Sequence, residues 1–204
     1  MEISQRKYIM SNKDLYDLLK SSYKNQKEAK TDLADKYNYD DDLSTNKNKV
    51  VIDKSTGKPK IISRGSKTVR DWADNALIAV GLGKHAKGQK ELQRSVKKVN
   101  EKYNQKPDIY SHSQASLFAE NIPQKDKDQV YTVNKAVGLG DIGKTISKNQ
   151  HDIIVKNDIP SLLHFTQKNP NVKVLNSHND VFGHNVIEKA LKDHSLDNLL
   201  KENN

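Results

Sequence analysis

The chain contains no cysteine, which excludes a disulfide scaffold and any thiolate metal site. No apolar run approaches the roughly 20 residues that span a bilayer, and none near the start resembles a signal peptide. An intracellular protein is expected, cytoplasmic or packaged inside a particle. Apolar residues make up only 34 % of the 204 positions and the mean hydropathy is −0.89, low for a stable enzyme. Lysine, asparagine and aspartate account for much of that figure, and the apolar residues still gather into segments. The length suffices for one substantial core and one domain. The lysine–asparagine bias is that of an AT-rich genome, such as a viral one.

The formal net charge of +9 is unevenly placed. Residues 1–50 carry 10 basic and 9 acidic side chains, and residues 111–204 carry 11 of each, whereas residues 51–110 carry 14 basic and 6 acidic. Such a patch attracts an anionic surface, phospholipid or nucleic acid, or serves as a solvated helix face that keeps a small protein soluble. A nucleic-acid partner is disfavoured, because no reading motif is present and the aromatics do not interleave with the lysines.

Ser11 or Asn12 can cap a helix running to about Tyr37, with Leu15, Leu18, Leu19, Tyr23 and Leu33 as its apolar stripe. An acidic loop, 40–49, completes an N-terminal unit, 1–49, packed on or beside an α/β domain over 50–204. Val50–Ile52 and Lys60–Ser63 read as short strands about a Ser-Thr-Gly-Lys-Pro turn. A helix over 68–80 and a glycine-interrupted crossover up to Gly88 follow, then a helix over 89–105. Leu92, Val96, Val99 and Tyr103 lie on one face of that helix and basic residues on the other. Strands are expected at 108–111, 130–133, 152–155 and 172–175. Short helices are expected at 114–121 and 159–165, and a terminal helix, or two shorter ones, over about 185–202. Alternating strands and helices predict a mostly parallel sheet with helices on both faces, an α/β fold whose reactive groups belong at strand carboxyl ends.

Three such groups follow in the order serine, aspartate, histidine. Ser113, in Asp108-Ile-Tyr-Ser-His-Ser113-Gln-Ala-Ser116, has a strand before it, a helix behind it and small residues, Ser111 and Ala115, two positions to either side. That is the pattern of a nucleophile elbow. A hydroxyl becomes nucleophilic only when a base takes its proton, and the base needs a carboxylate to hold its tautomer. Asp158 is the candidate carboxylate, with capping of the helix at 159 as its plainer role. His184 and His194 are the candidate bases, and each can equally cap or pack beside the terminal helices.

The chain resembles the class 3 lipases, the fungal triacylglycerol lipase type of α/β-hydrolase. Ile62-Ser-Arg-Gly-Ser66, followed by Asp71-Trp72, is similar to the family's Phe-Arg-Gly-Thr/Ser segment and the helix behind it. Tyr110-Ser-His-Ser113-Gln-Ala-Ser116 is similar to Gly-His-Ser-Leu-Gly-Gly. Ile153-Ile-Val-Lys-Asn-Asp158-Ile-Pro160 resembles the segment that carries the acid. Asp193-His194-Ser-Leu-Asp-Asn198 resembles the family's His-Ser-Leu/Ile-x-Asn ending more closely than the surroundings of His184 do. The resemblance spans about residues 50–200. It implies an α/β-hydrolase-like fold and an ester or lipid hydrolase with Ser113 as nucleophile, Asp158 as acid and His194 as base. It further implies an oxyanion hole from the N–H groups of Ser66 and Gln114, a lid near 81–88, and no metal or cofactor. The basic helix 89–105 tilts the substrate towards an anionic lipid surface. The chain departs from the family at all three elbow glycines, which are Ser111, Ala115 and Ser116, and at the residue after the nucleophile, the polar Gln114, which would make the pocket floor wetter. A non-catalytic accessory protein on the same fold is the competing expectation.

Overall fold

Apolar residues come in adjacent pairs on three of the strands, Val50-Val51, Ile61-Ile62 and Ile109-Tyr110. Neighbouring strand residues point to opposite faces, so a sheet of such strands has to be covered on both sides. The computed structural model describes residues 10–66, 85–156, 158–176 and 194–201, with backbone alone for 159, 160 and 162. It contains one seven-stranded sheet in sequential order: β1 (Tyr37–Tyr39), β2 (Asn48–Asp53), β3 (Pro59–Ser63), β4 (Asp108–His112), β5 (Val130–Val133), β6 (Gln150–Val155) and β7 (Val172–Leu175). β1 to β3 pair antiparallel, and β3 to β7 are all parallel. The helices are α1 (Asn12–Ser22), α2 (Gln26–Leu33), α3 (Lys87–Tyr103), α4 (Gln114–Glu120) and α5 (Asn198–Lys201).

Sequential parallel order decides which helix covers which face. Right-handed crossovers between neighbours taken in turn all fall on one side of the sheet. On that side Leu92, Val96 and Val99 of α3, with Leu117 and Phe118 of α4, bury Val50, Ile61 and Ile109. The opposite face is left to segments outside those crossovers. Leu15, Leu18 and Leu19 of α1, Leu33 of α2 and Leu199 of α5 close it over Val51, Ile62, Tyr110 and Val133. The result is an α/β domain with a mixed, mostly parallel sheet flanked by helices. Among the described residues no helix is long and apolar enough to cross a membrane.

The single N-terminal helix expected to reach Tyr37 is two helices and a strand. The N–H of Tyr23 bonds back to Lys20 and Ser21 and closes α1, and the Asn25 side chain accepts from the N–H of Glu28 and starts α2. Tyr37–Tyr39 then pairs with Val51–Asp53 as the edge strand, so the stretch read as a helix and linker contributes to the sheet. Gly88 does not interrupt the chain but lies buried in the first turn of α3. The segment after Asp158 is a 3₁₀ helix, Ile159–Thr166, capped by the Asp158 side chain. The helix expected over 68–80, residues 81–84 of the crossover, and 185–193 of the terminal helix lie outside the described residues.

Polar residues occupy part of the interior. Asp152 of β6 is fully buried, and its carboxylate accepts from Thr132 (2.7 Å), Gln150 (2.8 Å), Lys135 (2.9 Å), His164 (2.8 Å) and Asn169 (2.7 Å). Lys135 also bonds Glu120 of α4 at 2.6 Å, and Lys144 bonds the other oxygen of Glu120 at 2.6 Å. Burial pushes the Asp152 carboxyl up, but the bond from His164 and the charge and bond of Lys135 outweigh it and hold the group well below the usual carboxylate range. Glu120 is lowered too: Lys135 and Lys144 overcome its desolvation. Charges with this many partners tie β5, β6, α4 and residues 164–169 together where apolar packing is sparse.

Removing one partner of a buried pair strands the other, at a cost of about 3–5 kcal/mol. Asp152→Asn is therefore expected to lower the unfolding free energy by about that amount, read from the urea midpoint at constant slope. Both carboxyls titrate lower in the folded than in the unfolded chain. Their contribution is complete above the ordinary glutamate value of 4.5 and is lost as pH falls through the depressed folded values. Stability of the native protein should fall on acidification below that value, and more shallowly in the Asp152→Asn variant.

Candidate active site

β4 ends at His112, and the chain reverses at Ser113 with φ 58° and ψ −129° before entering α4. A non-glycine residue in such a conformation costs about 1–3 kcal/mol and persists only where its surroundings hold it. The Ser113 N–H donates to Val133 of β5 at 2.9 Å, and its carbonyl accepts from Ser116 at 3.0 Å. Ser111, Ala115 and Ser116 are all fully buried around the turn, so small size alone suffices at those three positions. The glycine the turn does need lies on the facing chain. A Cβ at Gly65, just beyond β3, would come within 2.8 Å of the Ser113 Cβ and 3.0 Å of the His112 carbonyl.

Asp158 sits just past the end of β6, with its side chain buried. Asn134, at the end of β5 with φ 48°, accepts from the Val155 N–H at 2.9 Å and fixes the chain three residues before the aspartate. One carboxylate oxygen of Asp158 takes the N–H (3.1 Å) and hydroxyl of Ser161, the capping role, and the other is 2.6 Å from Nδ1 of His194. Nε2 of His194 is 2.7 Å from the Ser113 hydroxyl oxygen. A carboxylate only accepts, so Nδ1 of His194 carries the proton and Nε2 of the neutral ring receives the Ser113 O–H. Hydroxyl, imidazole and carboxylate thus form one hydrogen-bonded chain polarised in one direction. It could pass the Ser113 proton to His194 as the hydroxyl attacks.

A cavity of about 350 Å³ opens over this chain, with Lys20, Tyr23, Ser66, His194 and Leu196 among its walls. Larger hollows, about 600 Å³ beside Tyr110 and Tyr131 and about 540 Å³ between α3 and residues 122–126, lie away from Ser113. Of the residues singled out from the sequence, Ser113, Asp158 and His194 meet directly, and Ser66 lies on the cavity wall. Gln114 is the first residue of α4. Its side chain is fully buried, with its oxygen 3.4 Å from the Lys47 ammonium, so it does not wet the cavity as expected. His184 lies outside the described residues. No group of three or more potential metal-ligating side chains occurs among the described residues.

Three participants escaped the sequence reading. Tyr23, read as part of an apolar stripe, lines the cavity with its hydroxyl 2.6 Å from Nδ1 of His112. His112 itself carried one usable signal, since strand alternation puts it on the opposite face from Ser111. Asn134 had none. Neither family models, nor curated proteins, nor solved structures give a match to this chain.

The backbone at Ser113 can be tested without any substrate. At ordinary backbone angles Ala is more stable than Gly by about 0.5–1 kcal/mol. Here Ser113→Gly is expected to be more stable than Ser113→Ala by about 1 kcal/mol or more, because glycine alone relaxes a positive φ. Thermal unfolding of the two variants would show the reversal, and the ordinary order would argue against a strained turn.

Proposed function

We propose that this chain is a carboxylic ester hydrolase acting through an acyl-enzyme intermediate. The observation that carries the reading is the chain Ser113–His194–Asp158, with contacts of 2.7 and 2.6 Å, at the carboxyl ends of β4 and β6. On this reading Ser113 attacks the ester carbonyl, His194 takes its proton and then gives it to the leaving alcohol, and Asp158 holds the imidazole. Water brought in by the same histidine releases the acid. The N–H groups of Ser66 and Gln114 are the proposed oxyanion donors, one such donor being worth about 3 kcal/mol. The mostly parallel sheet and the serine, aspartate, histidine order suit an α/β-hydrolase-like domain of the class 3 lipase kind. Asp158 both caps the following 3₁₀ helix and faces the histidine, so its plainer role and its proposed role coexist.

The proposed substrate is an ester presented at an anionic lipid surface, and the support is α3. Its basic residues divide in two. Lys87, Lys97 and Lys102 are engaged by Glu91, Glu101 and Asp40. Lys90, Arg94 and Lys98, one helical turn apart and all exposed, have no ion pair among the described residues and form a free basic stripe. The residues around the cavity are mostly of polar type, with Leu196 as the aliphatic one, but their carbon atoms make up about half of its surface.

A fluorophosphonate serine-hydrolase probe is expected to label the native protein and to lose its target in Ser113→Ala, with His194→Ala slowing labelling by at least 100-fold. A folded native protein that stays unlabelled, with and without detergent or vesicles, would favour the non-catalytic alternative. For the surface, joint replacement of Lys90, Arg94 and Lys98 by alanine should weaken binding to phosphatidylserine-containing vesicles about 100-fold, at about 1 kcal/mol per cation. Equal binding of the native protein to neutral and anionic vesicles would remove the lipid-surface proposal.

A further inference from the structure

We infer that Tyr23 and His112 are a positioning pair that holds the backbones of His194 and Gly65, and so fixes the two sides of the cleft about Ser113. The inference rests on the ester-hydrolase reading. Nε2 of His112 is 3.0 Å from the carbonyl oxygen of His194, and Nδ1 is 2.6 Å from the Tyr23 hydroxyl. The same hydroxyl accepts the N–H of Gly65 at 3.0 Å.

The proton positions in this chain follow from its ends. A carbonyl only accepts, so Nε2 of His112 bears the hydrogen. The neutral ring then leaves Nδ1 bare, and the Tyr23 O–H fills it. The Tyr23 oxygen keeps a lone pair for Gly65. The three bonds run in one direction, Gly65 to Tyr23 to His112 to His194. Burial, reinforced by the neighbouring His194, pushes His112 down to about 3, so the ring stays neutral and exchanges no proton in the reaction. What it supplies is position.

Both anchored groups matter to the chemistry. His194 has to keep its two ring nitrogens within 2.7 Å of partners that lie past the ends of separate strands, while its side chain remains one-fifth exposed. A bond to its own carbonyl is the shortest restraint available. Gly65 packs so closely on Ser113 that no Cβ fits between them, and Ser66, the proposed oxyanion donor, is the next residue. Other members of α1 hold the same distal segment: the Tyr16 hydroxyl donates to Asp197 at 3.1 Å, and Lys20 approaches it at 3.7 Å. α1 is thereby part of the site's framework as well as a cover for the sheet.

A misplacement of about 1 Å in a reacting group can cost about 100-fold in rate. Tyr23→Phe removes only the hydroxyl. It should lower kcat on p-nitrophenyl butyrate, and the fluorophosphonate labelling rate with it, by about 10- to 100-fold, with KM changed less than twofold. The low-field Nδ1 proton signal of His194 should shift or broaden in the same variant. Unchanged kcat together with an unchanged His194 signal would overturn the inference. The native protein gives a test free of folding effects: ¹⁵N-histidine spectra should show His112 protonated at Nε2, bare at Nδ1, and without titration from pH 5 to 9. A proton on Nδ1, or a titration in that range, would equally overturn it. A native protein that resists the probe while its histidine spectra match these expectations would sink the hydrolase reading and leave the anchoring in place.

Discussion

The turn at Ser113 is the constraint on which the other parts of the structure converge. Its backbone takes a positive φ that a side chain resists, so it has to be held from several directions at once. A carbonyl of β5 accepts its N–H, an N–H of α4 donates to its carbonyl, and Gly65 presses against its Cβ. A strand-to-helix reversal of this kind lifts one side chain clear of the sheet's end, where a base can reach it. The same sharpness requires small neighbours, and serine and alanine meet that requirement here where glycine would be the commoner solution.

The domain is assembled from unusually little apolar material, and the parallel sheet shows where that material goes. Adjacent apolar residues on β2, β3 and β4 feed two thin cores, one beneath α3 and α4 and the other beneath α1, α2 and α5. Further along the sheet the α3-side layer turns ionic: Thr132 and Asp152 occupy paired positions on β5 and β6, and Lys135 and His164 close over them. Such a centre is specific because each of its groups has a defined partner, whereas apolar side chains accept many. It is also costly to form, since every charge has to be stripped of water before its partners arrive.

How much of this the sequence disclosed depends on the range of the interaction. The hairpin of β2 and β3, the strand before Ser113, the stripe Leu92–Val96–Val99 and the order Ser113, Asp158, His194 are local or ordinal patterns, and they could be read directly. The break between α1 and α2 is local as well, but the leucine periodicity running through it masked the cap at Asn25. β1 could not be seen, because Tyr-Asn-Tyr becomes a strand only when β2 lies beside it. Tyr23 lay further beyond reach, and strand alternation gave His112 a face but no partner. A tyrosine at a helical spacing and a histidine in a strand have meaning only after the sheet has brought positions 89 residues apart within 2.6 Å. The ionic knot shares this property, since a lysine, a histidine and an aspartate scattered between 135 and 164 look like surface residues until they are packed.

The grip of α1 on residues 194–201 has a consequence for biosynthesis. The contact between Tyr16 and Asp197 spans 181 positions of the chain, so in a molecule made from its amino end it cannot close until Asp197 has emerged. Ser113 and Asp158 leave the ribosome well before the histidine that would activate the serine. During that interval the nascent polypeptide holds a hydroxyl and a carboxylate without a base, and the face of the sheet meant for α5 is only partly covered. Were the chain the proposed hydrolase, synthesis itself would delay its activity until the distal segment docks beside α1.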